Sequence, residues 1–258
     1  MQINKQHSLF FDADQARPSR RRRQWAMDRV GSQLGGDNIM ADTGNRFEWR
    51  AFAKHFGALE YRLLEYGRFM DMKVSQEWYL ISRHNTNLNI KIRAGKLQTK
   101  ALVQTLGELE QWAPAGSATL PVSADTFQAQ VLVPLRIATA GLTMETGPAL
   151  LDEHDLNTRF FYRFPDMIAV ALQKKRMRYA LGERPGEDQT DNQNKCMGEL
   201  VELEINGASL QSLCIESVHP DQVKEAAALI GLDAWRNRSY VTALRETMGL
   251  VPQAPLLR

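Results

Sequence analysis

Three stretches of the chain alternate apolar and charged side chains with a period of two, and that period constrains the fold more than any other feature. In Val170–Tyr179, Leu172, Lys174, Arg176 and Arg178 fall on one face, opposite Met177, Tyr179 and, just beyond, Leu181. In Leu200–Ile205, Glu202 and Glu204 share a face opposite Val201, Leu203 and Ile205. In Asn89–Arg93, Lys91 and Arg93 oppose Ile90 and Ile92. Successive side chains of a strand point to opposite sides of a sheet, so each stretch reads as a half-buried strand with a charged side. Two cationic strands and one acidic strand suggest a site where cations grip a polyanion and carboxylates hold a divalent metal. The plainer alternative is a wetted sheet face, where charges are ordinary.

The composition narrows the classes. A chain of 258 residues with 43% hydrophobic content can bury a sizeable core, as one domain with extensions or as two small domains. The formal net charge is +2, from 32 Lys plus Arg against 30 Asp plus Glu, which argues against general coating of nucleic acid. Cys196 and Cys214 are the two cysteines; they match no zinc spacing and no CxxC motif, so no disulfide scaffold is expected. Free thiols fit a cytoplasmic location. No apolar run approaches the roughly 18 residues of a membrane span, and the N-terminal segment has no apolar core of a secretory signal. The five histidines are scattered, and no GxSxG, Walker A or dinucleotide fingerprint occurs.

Along the chain, residues 1–44 carry the run Arg20–Arg23 and several glycines without sustained apolar periodicity, and read as a mobile basic extension. Its arginines would suit nucleic acid, polyphosphate or an acidic partner. Patterned sequence starts at Arg46, where Phe47, Trp49 and Ala51 alternate with Arg46, Glu48 and Arg50. Strands are expected at 75–83 and 88–93. The turn Ala94-Gly95-Lys96 makes 88–103 a hairpin, with Lys100 on the face of Gln98 and Leu102. Residues 113–117 read as a loop. Ser123 suits the cap of a helix carrying Phe127, Val131 and Leu135, but the same segment also fits a strand, and Pro134 limits any helix there. Further strands are expected at 158–164, 170–181, 199–205 and 209–217, with a polar loop at 182–198. A helix from Asp221 ends at Gly231, and another spans 238–248. Residues 251–258 form a C-terminal tail.

The order of these charged strands resembles the CYTH-like domain, or triphosphate tunnel metalloenzyme, family. The stretch 170–181 looks like the family's basic strand, 198–205 like its acidic strand, and 89–102 like its basic hairpin. Residues 212–217, the helix at 221–231 and Asn237-Arg238-Ser239-Tyr240 look like its ending. The likeness spans about residues 45–250 and is poor over 112–157. The family opens on Glu-x-Glu-x-Lys, against which this chain sets Arg46, Glu48 and Arg50. Arg46 puts a cation where the family has an acid, and that departure bears on metal binding.

The resemblance implies an α+β fold: an antiparallel, eight-stranded, closed or nearly closed barrel with helices packed outside. It implies that Arg50, Lys91, Arg93, Lys100, Lys174 and Arg176 converge on the lumen to bind a triphosphate-class substrate. Glu48, Glu202, Glu204 and Glu216 would then hold Mg²⁺ or Mn²⁺, with Glu48 and Arg50 as the catalytic pair. A homodimer is compatible with it. Two functions of different class follow. One is a metal-dependent phosphohydrolase acting on inorganic triphosphate or a nucleoside triphosphate. The other is a non-catalytic anion-binding or interaction module with a degraded metal site. A nucleotide cyclase is a third, weaker alternative.

Overall fold

The computed structural model describes residues 45–138, 150–156, 164–182, 196–205 and 207–250. The basic extension with Arg20–Arg23, most of the strand expected at 158–164, residues 183–195 of the polar loop and the C-terminal tail lie outside the described residues.

The chain opens with β1 (Arg46–Ala53), crosses the barrel exterior as α1 (Ala58–Tyr66), and continues as β2 (Gly67–Ser82), β3 (Leu88–Arg93), β4 (Lys96–Leu106) and β5 (Leu109–Thr119). A short β6 (Val122–Ser123) leads into α2 (Ala124–Phe127), which widens into a π turn over Gln128–Leu132. β7 (Leu150–Leu151) pairs with β6, and α3 (Glu153–Asp155) is a single turn. Then come β8 (Met167–Leu181), β9 (Cys196–Ile205), β10 (Ala208–Ser217), α4 (Pro220–Ile230) and α5 (Tyr240–Thr247). Eight strands close a barrel in the order β1-β10-β9-β8-β2-β3-β4-β5, every pair antiparallel. This is the α+β barrel that the resemblance implies.

Alternation explains why the barrel closes. Phe47, Trp49 and Ala51 of β1 point outward into a cluster with Leu63 of α1 and Val223, Ala227 and Ile230 of α4. Glycines at 67 and 198 let α1 lie directly on β2 and β9, because a Cβ at Gly198 would overlap Leu63 and one at Gly67 would meet Tyr179. On the far side, Leu80, Ile90, Ile92 and Leu97 pack outward against Phe127, Val131 and Leu132. Ser123 accepts a hydrogen bond from the Thr126 amide, so the helical alternative holds for this segment. α4 ends where Gly231 adopts φ 87°, the left-handed conformation that suits glycine.

Several boundaries differ from expectation: β2 starts at Gly67 rather than 75, and β4 runs on to Leu106. Residues 113–117 belong to β5 rather than a loop. β1 pairs with β5 only as far as Trp112, so Pro114 and Gly116 lie where one edge of β5 carries no β1 partner and a missing N–H is tolerated. β9 begins at Cys196, within the segment expected as loop.

Candidate anion-binding lumen

The inward faces of the strands build a lumen graded from a wet, charged mouth to a dry floor. At the mouth, Arg178 of β8 pairs with Asp71 of β2, both well exposed. Below them Arg176 lies 3.6 Å from Glu199 of β9. Deeper, Glu77 of β2 takes three cations: Lys174 at 2.9 Å, Arg93 at 3.4 Å and Lys91 at 3.5 Å. Arg50 of β1 contacts Glu199 at 3.0 Å, the Ser212 hydroxyl at 2.9 Å and Glu48 at 3.7 Å. At the floor Tyr79, Leu172, Val201, Leu203 and Ile205 pack against Tyr240 and Leu244 of α5.

Burial and charge pull these groups in opposite directions. Burial alone would raise the Glu77 carboxyl, but Lys91, Lys174 and Arg93 outweigh it and hold Glu77 well below the carboxylate range. Glu199 is likewise raised by burial but brought down to about 2 by Arg50, Arg176 and Lys174. The lysines move the other way. Burial lowers Lys91 to about 7 and Lys174 to about 8, with Glu77 opposing the shift in each. Glu48 is raised, because burial and the nearby Glu110 and Glu199 outweigh Arg50 and Lys100.

The sequence-derived residues divide into two groups. Lys91, Arg93 and Lys174 gather on Glu77, Arg50 and Arg176 on Glu199, and Lys100 acts on Glu48 from β4. Glu48 and Glu216 approach each other beside Cys214, their ligand atoms all within 4.8 Å. Arg46 precedes Glu48 by one inward position and stands opposite Trp112 of β5. Glu202 and Glu204, expected as metal ligands, do not join them. Both are exposed on the outer face, where Glu202 meets Lys175 at 3.1 Å. The apolar partners on β9 point inward instead, since the floor needs Val201, Leu203 and Ile205.

Sequence reasoning passed over Glu77, Tyr79, Glu199 and Tyr240. Glu77, Tyr79 and Ile81 share one phase of β2, and Glu199 shares the inward phase of β9 with Val201. The signal in the sequence is the phase itself, and on β9 the doubly charged phase is the outer one.

A donor set for a divalent ion is legible at one place. Glu48 and Glu216 supply hard carboxylate oxygens, which suit Mg²⁺ or Mn²⁺ alongside waters and substrate phosphates. Cys214 is a soft donor whose thiol burial pushes well up, so it is a poor ligand for such an ion. The residues fit a two-carboxylate site rather than a full protein cage.

Fold and site together define a barrel with a charged lumen closed at one end. Comparison with solved structures finds proteins of low similarity. The Hippeastrum protein HpAC1, an adenylyl cyclase candidate reported to reveal a dominant triphosphatase activity, aligns at a TM-score of 0.43 with 10% identity. That alignment covers 81% of this chain and 98% of HpAC1. The PH1012 protein of Pyrococcus horikoshii aligns at 0.44 with 13% identity, over 76% of this chain and 97% of its own. An adenylate cyclase candidate from Bacillus halodurans aligns at 0.37 with 11% identity, over 78% and 98%. Likeness at these scores assigns no activity. No family model and no curated protein matches the sequence. Among the described residues no helix is long and apolar enough to cross a membrane.

Proposed function

We propose that the lumen binds a triphosphate-class polyanion and hydrolyses it with a divalent metal held by Glu48 and Glu216. The observation that carries this reading is the convergence of Arg50, Lys91, Arg93, Lys100, Lys174 and Arg176 on a single lumen from four different strands. Arginine forks match phosphate oxygens two at a time, and lysine adds point charge. Lys91 and Lys174 sit near their protonation midpoints at neutral pH, so an incoming anion would draw protons onto both. Glu77 and Glu199 keep the cations from repelling one another until the anion arrives.

In this reading Arg50 stabilises charge developing on the phosphoryl oxygens. Glu48, whose carboxyl is pushed up by burial, would in its ionised form be the base that takes a proton from the attacking water. A bound ion would neutralise phosphate charge at the Glu48–Glu216 end of the lumen. The reading also places the protein in the cytoplasm, where its two buried free thiols stay reduced.

A specific observation favours a second reading, a non-catalytic anion binder: Arg46 stands on the inward phase of β1, where a cation opposes a metal. Phosphate release from inorganic triphosphate, ATP and longer polyphosphate, with Mg²⁺, Mn²⁺ or chelator, separates the two. The hydrolase gives metal-dependent release that Glu48→Gln and Glu216→Gln abolish. Anion binding without turnover under any of these conditions leaves the binder.

A further inference from the structure

We propose that the lumen takes its anion end-on, with a free terminal phosphoryl group seated against a floor centred on Tyr240. This rests on the reading of the lumen as an anion site and adds which anions it accepts.

The floor is fixed rather than loosely draped. Past Glu48 the free edge of β1 is held by the segment leading into α5. The Trp49 indole donates to the Trp235 carbonyl at 2.9 Å, and the Arg50 amide donates to Asn237 Oδ1 at 2.7 Å. The Arg238 amide donates to the Arg50 carbonyl at 2.8 Å. Asn237 Nδ2 donates to the carbonyls of Glu48 at 3.2 Å and Glu108 at 2.6 Å, joining β1 to the β4–β5 turn. At the other end of α5, the buried Arg245 guanidinium donates to the carbonyls of Ser82, Arg83 and Asn85 after β2. Tied at both ends, α5 lays Tyr240 and Leu244 across the lumen, with Phe52, Ile81 and Val170 around them.

Tyr79 and Tyr240 are the polar points of this apolar floor; the Tyr79 hydroxyl accepts from Lys174 Nζ at 2.7 Å, and Tyr240 lies beside it. The Tyr240 ring stacks on Tyr79 at 5.4 Å between centroids, with Lys174 Nζ at 3.7 Å and the Arg50 guanidinium at 4.6 Å from its centroid. Tyr240 is only 7% exposed, and its hydroxyl makes no well-formed hydrogen bond: Ser212, which accepts from Arg50, is the neighbour near enough to interact with it. A buried hydroxyl short of a well-formed partner is costly. A phosphate oxygen between Arg50 and Lys174 would satisfy it. The terminal phosphoryl carries more charge and more unbridged oxygens than an internal one, so it gains most from this dry, cationic end. A closed floor also leaves no exit for a group beyond it. Inorganic triphosphate, pyrophosphate and ATP each present a free end. Diadenosine tetraphosphate has both ends blocked, and cyclic trimetaphosphate has none.

The test is calorimetric titration of the full chain with these five anions, on wild type and Tyr240→Phe. Pyrophosphate controls for charge, since it carries a free end but less total charge than diadenosine tetraphosphate. The expected result is that triphosphate, ATP and pyrophosphate all bind at least tenfold tighter than the two anions without a free end. Tyr240→Phe should weaken triphosphate about tenfold, the scale of one hydrogen bond to a charged group, and leave the blocked anions unchanged. Diadenosine tetraphosphate binding as tightly as pyrophosphate on wild type overturns the end-on proposal without touching the anion site, and needs no variant to fold. Undiminished triphosphate affinity in a folded Tyr240→Phe overturns the role of the hydroxyl. If no anion binds wild type, the anion-site reading fails and this proposal falls with it.

Discussion

Glu77→Gln tests the electrostatics of the lumen most sharply, because Glu77 neutralises three cations while only 3% of its side chain is exposed. Glutamine keeps the shape and removes the charge. Breaking a buried pair by deleting one partner typically costs about 3–5 kcal/mol. Here the lysines can relieve part of it, since Lys91 and Lys174 already sit at about 7 and about 8 and can shed protons. At pH 8 the loss is therefore about 2–3 kcal/mol, which for a barrel of this size lowers the melting temperature by about 4–12 °C. The sign with pH follows. Charged lysines without Glu77 are worst off, so the loss is larger at pH 6 and smaller at pH 9. Saturating triphosphate restores negative charge at the same place, so it should stabilise the variant by more than the wild type. The assay is thermal unfolding at pH 6, 8 and 9, with and without triphosphate. A variant melting within about 1 °C of wild type at pH 6 would mean that the three cations are balanced elsewhere, and the argument would be wrong.

Other predictions follow from the same network. Glu199, held at about 2 against an ordinary 4.5, contributes stability that is present above pH 4.5 and lost as pH falls toward 2. The full loss is about 3 kcal/mol, of which about 2 kcal/mol falls between pH 6 and 3, and that part should vanish in Glu199→Gln when urea unfolding is followed over this range. Lys91 takes up a proton when an anion binds, so triphosphate affinity should fall as pH rises through 7. Calorimetry in buffers of differing ionisation heat should record proton uptake, and pH-independent affinity from 6 to 9 would contradict it. The double variant Glu202→Gln/Glu204→Gln should bind triphosphate like wild type and unfold within about 0.5 kcal/mol of it, because both residues are exposed on the outer face. A tenfold loss of binding there would reverse the assigned phase of β9. Mn²⁺ affinity, measured by electron paramagnetic resonance, should fall at least tenfold in Glu48→Gln and be unaffected in Glu202→Gln.

Period-two alternation made β8, β9, β10 and the β3–β4 hairpin legible, since each strand buries one face. What it did not disclose is which face looks inward. In a barrel both faces are covered over much of their area: the outside by α1 and α4, the inside by the floor. A charged phase is therefore no guide to the lumen. On β8 Lys174 and Arg176 point inward, whereas on β9 the exposed Glu202 and Glu204 point outward. Glu77 and Glu199 were missed because a lone acid among apolar residues carries no pattern, and only barrel closure brings them to Lys174 and Arg50. α1 left little trace, with just one fully buried residue, Leu63, and Tyr61, Leu64 and Tyr66 exposed. Tyr240 was visible only as part of the ending motif, and its place in the floor depends on the tie between Asn237 and β1.

The measurement that bears most directly on the account is calorimetric titration of inorganic triphosphate into wild type and into Lys174→Met at pH 7 and low salt, each confirmed folded. Methionine keeps the stem of Lys174 against Tyr79 and Tyr240 while removing the charge nearest the floor. The account predicts stoichiometric binding to wild type and at least a tenfold loss in the variant. Equal binding by both proteins, or binding by neither, would contradict the claim that the lumen is an anion site.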